Sequence, residues 1–167
     1  MAINTALQNK SEAEIDTYYM NLALNLARRA VQRNEVPVGA LIVGPDGILG
    51  RGHNLRQTLQ TPIAHAEMLA LHRASRNLGS WRLPNNVTIY STLEPCVMCA
   101  GALIQARASR LVYGAKDPKG GAIHSLFRIA EDTRLNHQIS VTTGVLEAEC
   151  SQILRDFFSM RRKQNKM

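Results

Sequence analysis

Ile15, Tyr19, Leu22, Leu26 and Ala30 recur at steps of four and three, which lines one face of a helix. Ser11-Glu12-Ala13-Glu14 precedes them and matches a capping box, in which Ser and Glu satisfy orphan backbone donors at a helix start. The pattern predicts a helix to about Asn34. Val38–Val43 reads as a strand, Pro45-Asp46-Gly47 as a turn, and Ile48–Gly52 as the return strand of a hairpin. His65–Arg76 is helical in pattern, with Met68, Leu69 and Leu71 apolar. Asn85-Asn86 punctuates before a strand over Val87–Ser91. Pro95 suits the first position of a helix, where its missing N–H is not needed. That helix runs from Cys96 to Arg107, and its Ala and Gly content predicts close packing. Leu111–Tyr113 and Ile139–Thr143 read as strands on either side of a Gly120-Gly121 loop. A last helix spans Glu147 to about Gln164, with Ile153, Leu154, Phe157 and Phe158 towards its apolar side. The two phenylalanines are neighbours and cannot both face the core squarely, so one is free to stack on a base.

Strands alternating with helices predict an α/β layered domain. The 167 residues suit one domain spanning 1–167, with no repeat, linker or low-complexity segment. Hydrophobic residues at 45% and charged residues at 20% exclude wholesale disorder. The most apolar stretch, Cys96–Ile104, is half of the roughly 20 residues that a membrane-spanning helix needs. The start of the chain has no apolar run behind basic residues, so no secretory leader is expected. Three cysteines, two of them close together, argue for a reducing compartment, the cytoplasm, rather than a disulfide framework.

Charge sharpens the reading of partners. The net charge is +7, concentrated as +6 over residues 51–119 and +4 over residues 155–167. Two positive blocks suit a polyanion such as nucleic acid; a solvated basic face and a frayed basic tail (residues 161–167) account for them equally well.

Cys96 and Cys99 form a C-x-x-C at a helix start. Their spacing puts both sulfurs on one face, and the positive end of the helix favours thiolate. Alone, the pair fits either a metal site or a redox couple. His65-Ala66-Glu67, thirty-one residues earlier at another helix start, shifts the balance to metal. His65, Cys96 and Cys99 give three zinc ligands and leave a fourth position for water, the form of a catalytic site. Glu67 is badly spaced to ligate with His65 but well placed to take a proton from that water and pass it on. Asn54 reads by itself as a turn residue. His53, His72, His124 and His137 are not at ligand spacing, and Cys150 reads as a buried packing residue. There is no phosphate-binding loop, no nucleophile elbow and no complete dinucleotide fingerprint.

H-x-E followed by P-C-x-x-C is the signature of the zinc nucleobase deaminases. The longer strings Glu35-Val36-Pro37-Val38-Gly39-Ala40, Thr61–Glu67, Thr92–Ala102, Gly114–Ala122 and Asp156–Arg162 resemble the bacterial tRNA-specific adenosine deaminases over about residues 15–163. Residues 1–10 find no match and are expected to be disordered. The resemblance implies a three-layer α/β/α cytidine-deaminase-like fold on a central mixed sheet of about five strands, one zinc ion per subunit, and a homodimer. It implies conversion of adenosine to inosine at the wobble position of a tRNA anticodon, in tRNA-Arg. By position it makes His65, Cys96 and Cys99 the ligands, Glu67 the proton shuttle and Asn54 the holder of the flipped base. It places Val36, Ala66 and Leu93 on the pocket wall, and Asp117 and Lys119 on a loop at the RNA surface. Phe157, Arg161 and Arg162 fall on a helix that meets the anticodon stem-loop. Pro118 and Gly120 depart from the family's loop. Two alternatives stand beside this reading. A deaminase of free guanine or cytosine has no use for the basic blocks. A catalytically silent zinc module for RNA has no use for Glu67.

Overall fold

The computed structural model describes residue 7 and residues 9–164. The expected disorder of residues 1–10 lies mostly outside the described residues, as do positions 165–167 of the basic tail. Helix α1 (Glu12–Val31) begins with the expected capping box: Glu14 N–H donates to Ser11 Oγ (3.3 Å) and Ser11 N–H donates to Glu14 Oε2 (2.9 Å). It ends earlier than its pattern suggests, because Asn34 takes a left-handed φ of 57° and turns the chain. Strands β1 (Gly39–Gly44) and β2 (Gly47–His53) form the hairpin. Helix α2 (Ala66–Leu78), β3 (Thr88–Leu93), α3 (Val97–Gln105), β4 (Arg110–Ala115), β5 (Ser140–Thr143) and α4 (Glu147–Gln164) follow.

The sheet order is β2-β1-β3-β4-β5. The β1 strand runs antiparallel to β2 and β3, while β3, β4 and β5 are parallel. This is the expected mixed five-stranded sheet. Side chains alternate between its faces with the period of two that a strand imposes. Ala40, Ile42, Ile89, Leu111 and Tyr113 join the core beneath α2 and α3. Leu41, Val43, Tyr90 and Val112 join the core beneath α1 and α4, together with Cys150, which is buried there as expected. Three layers result.

Two local features place the site. Gly50 and Gly52 on β2 have no side chain because α2 lies directly on them. A Cβ at Gly50 would overlap the carbonyl oxygen of Ala70, and one at Gly52 that of Ala66. Pro95, expected at the first helical position, stands one residue before the N-cap of α3, which is Cys96. The reason is tertiary: Pro95 accepts a hydrogen bond from Ala122 N–H (2.8 Å) and Cys96 forms a β-bridge with Gly121. Those pairings hold the segment extended up to Cys96.

Candidate active site

Helices α2 and α3 both start beyond the carboxyl ends of β2 and β3, which run the same way, and both start in the same unusual way. Their N-cap residues, His65 and Cys96, are extended and make no capping bond with their own side chains. An N-cap position normally favours Ser, Thr, Asp or Asn, whose oxygen closes back on the helix. Here the side chains are free to turn towards each other. His65 Nδ1 lies 3.6 Å from the sulfur of Cys96 and 3.6 Å from that of Cys99. Among the described residues these three form the group whose donor atoms lie within 4.8 Å of one another. Tetrahedral zinc, with nitrogen at about 2.0–2.1 Å and sulfur at about 2.3 Å, sets an N···S edge of about 3.5–3.6 Å. The donor triangle fits that ion.

Electrostatics agrees. Cys96 is drawn down to about 3 by its hydrogen bond with Cys99, against its burial, with His65 helping. That same bond, with burial, pushes Cys99 strongly up. One shared hydrogen bond thus favours the thiolate at Cys96 and the thiol at Cys99. His65 is raised, chiefly by its bond with Cys96. Glu67, in the first turn of α2, is 4% exposed, and burial raises its pKa.

The missing cap of α2 is supplied from β2's far end. Asn54 Oδ1 accepts the N–H of Ala66 at 2.9 Å. That contact fixes the amide and leaves its Nδ2 without a protein acceptor among the described residues, on the wall of the cavity.

The cavity has a volume of about 970 Å³. Val36, Asn54, His65, Glu67, Leu93 and Cys96 line it, as do Asp117 and Lys119. Cys99 sits behind them, fully buried. Arg161 lines only a neighbouring cavity of about 340 Å³, where its guanidinium lies 5.7 Å over the ring of Phe157; Arg162 lines both cavities. Two expectations need correction. Ala66 is not on the wall: its methyl is fully buried in the core under α2, because it faces the sheet at Gly52. Phe157 is 4% exposed and packs inward, while Phe158 is 44% exposed and lines both cavities. The helix phase of α4 therefore buries the first ring beneath Arg161 at the smaller cavity and gives the opening to the second.

Sequence reasoning missed Arg56, Glu94, Lys116 and Arg155, which also line the cavity. Glu94 stands within the Thr92–Ala102 string, next to Pro95, and a carboxylate before a buried turn is its only signal. It is 2% exposed. Burial pushes it up, but hydrogen bonds from His124, Ser125 and Asp117 outweigh that and hold it at about 2. The cations around the opening, Arg56, Lys116, Lys119, Arg155 and Arg162, are all exposed or half-buried, whereas Glu67 and Glu94 are buried below them. None of the described helices is long and apolar enough to cross a membrane.

A His–Cys–Cys donor set on two helix starts, a buried carboxylate beside it and an α/β/α sheet define the class of metal-dependent nucleobase deaminases. A family model for MafB19-like deaminases matches residues 15–162. The tRNA-specific adenosine deaminase of Bacillus subtilis is 48% identical over 151 residues, covering 90% of this chain and 93% of its own. That of Haemophilus influenzae is 46% identical, covering 95% and 91%. A structure from work on A-to-I editing by tRNA:A34 deaminases at the wobble position of transfer RNA superposes with a TM-score of 0.79 at 43% identity, covering 83% of this chain and 99% of that one. A guanine deaminase from Nitrosomonas europaea is more distant, with a TM-score of 0.72 at 25% identity over 83% and 81%. The chain belongs to the MafB19-like deaminase family, in the branch of the tRNA-specific adenosine deaminases.

Proposed function

We propose that this chain is a zinc-dependent hydrolytic deaminase that converts adenosine to inosine at the wobble position of a tRNA anticodon, with tRNA-Arg as substrate. The observation that carries the reading is the His65–Cys96–Cys99 triangle, with its two 3.6 Å N···S edges, beside buried Glu67. His65, Cys96 and Cys99 would hold zinc, one ion per subunit, which would supply the Lewis acidity that activates water. Glu67 would take one proton from this water and deliver it to the ring nitrogen, then take the second from the C6 hydroxyl and deliver it to the leaving amine. Water adds at C6, the C6–N bond breaks, and ammonia leaves. A raised pKa suits a carboxylate that must hold a proton between two steps. Asn54, its oxygen already committed to Ala66, orients the base through Nδ2. Val36 and Leu93 flank the ring.

A base inside a helix cannot reach this depth, so a loop nucleotide is the cheaper substrate. The cations at the opening suit the phosphates that flank it. In this reading residues 1–167 form a single deaminase domain that acts as a homodimer in the cytoplasm. The deciding experiment is incubation with an anticodon stem-loop carrying a wobble adenosine, followed by detection of inosine. Inosine from the tRNA-Arg stem-loop and none from free adenosine is the expected result. Equal turnover of free adenosine, guanine or cytosine overturns the RNA assignment. Bound zinc with no turnover of any of them overturns the enzyme.

A further inference from the structure

We propose that Glu94 is a positioning residue for substrate, holding the 116–125 loop, with Lys116, Asp117 and Lys119, against the segment that carries Cys96. The inference rests on the function proposed above and assigns a role to a carboxylate that the chemistry does not use.

Glu94 ends up buried at the close of β3 and accepts five hydrogen bonds from the loop. Ile123 (3.1 Å), His124 (2.7 Å) and Ser125 (2.9 Å) donate backbone N–H to Oε1. Asp117 N–H donates to Oε2 at 3.0 Å, and the Ser125 hydroxyl donates to the same oxygen. The loop is thus wrapped around one side chain from a different part of the chain. Gly121 marks how tight the wrap is, since a Cβ there would overlap the carboxylate carbon. The loop's other ties to this segment are the Ala122–Pro95 hydrogen bond and the Cys96–Gly121 bridge. Within the loop, Asp117 accepts from Lys119 N–H (3.1 Å) and Gly121 N–H (2.8 Å), which shapes the turn but does not place it. Placement comes from Glu94 together with those two ties.

The chemical groups do not depend on this clamp in the same way. His65 and Glu67 are set by α2 on β2, and Cys99 by α3; Cys96, the N-cap of α3, is the one of these groups that also touches the loop, through its bridge to Gly121. Loosening the loop therefore moves groups that meet RNA more than groups that meet the reacting carbon. Affinity, not the chemical step, carries the loss.

The test is Glu94→Gln in the zinc-loaded full chain, which keeps the size but turns an amide NH2 towards the N–H donors. Zinc content should remain stoichiometric. Amide exchange at Asp117 and Ile123–Ser125 should speed up by about tenfold or more, the scale set by one buried donor left unpaired. In single-turnover reactions on the wobble-adenosine stem-loop, the half-saturating RNA concentration should rise about tenfold, again one unpaired donor's worth, while the saturated rate stays within about threefold. Ser125→Ala removes one of the five donors and, should Glu94→Gln fail to fold, must show the same split on a smaller scale. Unchanged amide protection in the folded variant overturns the clamp. A tenfold fall in saturated rate with unchanged half-saturation overturns its role in affinity. Absence of inosine with the native protein overturns the function itself, and the affinity role with it.

Discussion

At the floor of the cavity, His65, Glu67, Cys96 and Cys99 all belong to the starts of two helices that rest on the sheet. At its rim, Arg56, Lys116, Lys119, Phe158 and Arg162 come from two loops and the last turns of α4. The floor is fixed by backbone geometry. The rim is open to solvent and held in place by long-range clamps such as Glu94. The difference separates two tasks: a reacting centre must hold atoms to a fraction of an ångström, whereas a polyanion is gripped by charges that tolerate displacement.

Breaking the floor should give the largest effects. Cys96→Ala or Cys99→Ala should abolish both bound zinc and deamination, whereas Cys150→Ala should keep one zinc per chain, as elemental analysis would read. Zinc lost from the Cys150 variant would point to a closed structural site instead. Glu67→Ala should keep zinc and fold yet lower turnover by about 10²–10⁴, the usual worth of a general acid–base group. Near-normal turnover would remove it from the proton path.

At the rim, the two neighbouring phenylalanines divide the effects. Phe157→Ala should lower unfolding stability by about 3 kcal/mol, because a buried ring leaves a cavity. Phe158→Ala should instead weaken stem-loop binding by about 1–3 kcal/mol, the range for removal of base stacking, with the denaturation midpoint unmoved. The reverse pattern would exchange their roles. A smaller effect is expected for Arg162→Ala, which should reduce the slope of log affinity against log salt by about 0.7–0.9 for each phosphate the side chain no longer neutralises.

The smallest effect concerns Glu35, which clamps the other loop by accepting N–H from Thr58 (2.7 Å) and Gln57 (3.2 Å). Burial pushes its pKa up, but these donors win and the folded value lies below the ordinary 4.5. A lowered value stabilises the fold above pH 4.5 and loses that contribution as pH falls through the folded value. Urea midpoints should therefore fall less steeply with acid in Glu35→Gln than in the native chain. Parallel slopes would show that the clamp does not contribute.

The floor is legible in sequence because each part of it is local. C-x-x-C and H-x-E each lie within one helical turn, and the strands around them are short apolar runs bounded by turn residues. The five strands and the last helix are legible for the same reason. The rim is not, because its order depends on pairs far apart in the chain. Nothing near Asp117 shows that Glu94 will hold it, and nothing near Pro95 shows that Ala122 will keep it out of the helix. Phe157 and Phe158 differ only in helix phase, which tertiary packing decides. Ala66 defeats a reading by position because its backbone N–H faces Asn54 while its methyl faces the sheet.

The bare contact between β2 and α2 has a further consequence, for inheritance rather than for chemistry. A side chain gained at Gly50 or Gly52 would strike main-chain atoms of Ala66, Ala70 and Ala74. A clash with a neighbouring side chain can be relieved by trimming that neighbour. A clash with a carbonyl oxygen cannot, since every amino acid carries the same one. No replacement of the residues struck can therefore restore the fit, and relief must come from shifting the whole helix, with His65 and Glu67 at its start. Selection is left with glycine at both places for as long as α2 must deliver those two groups.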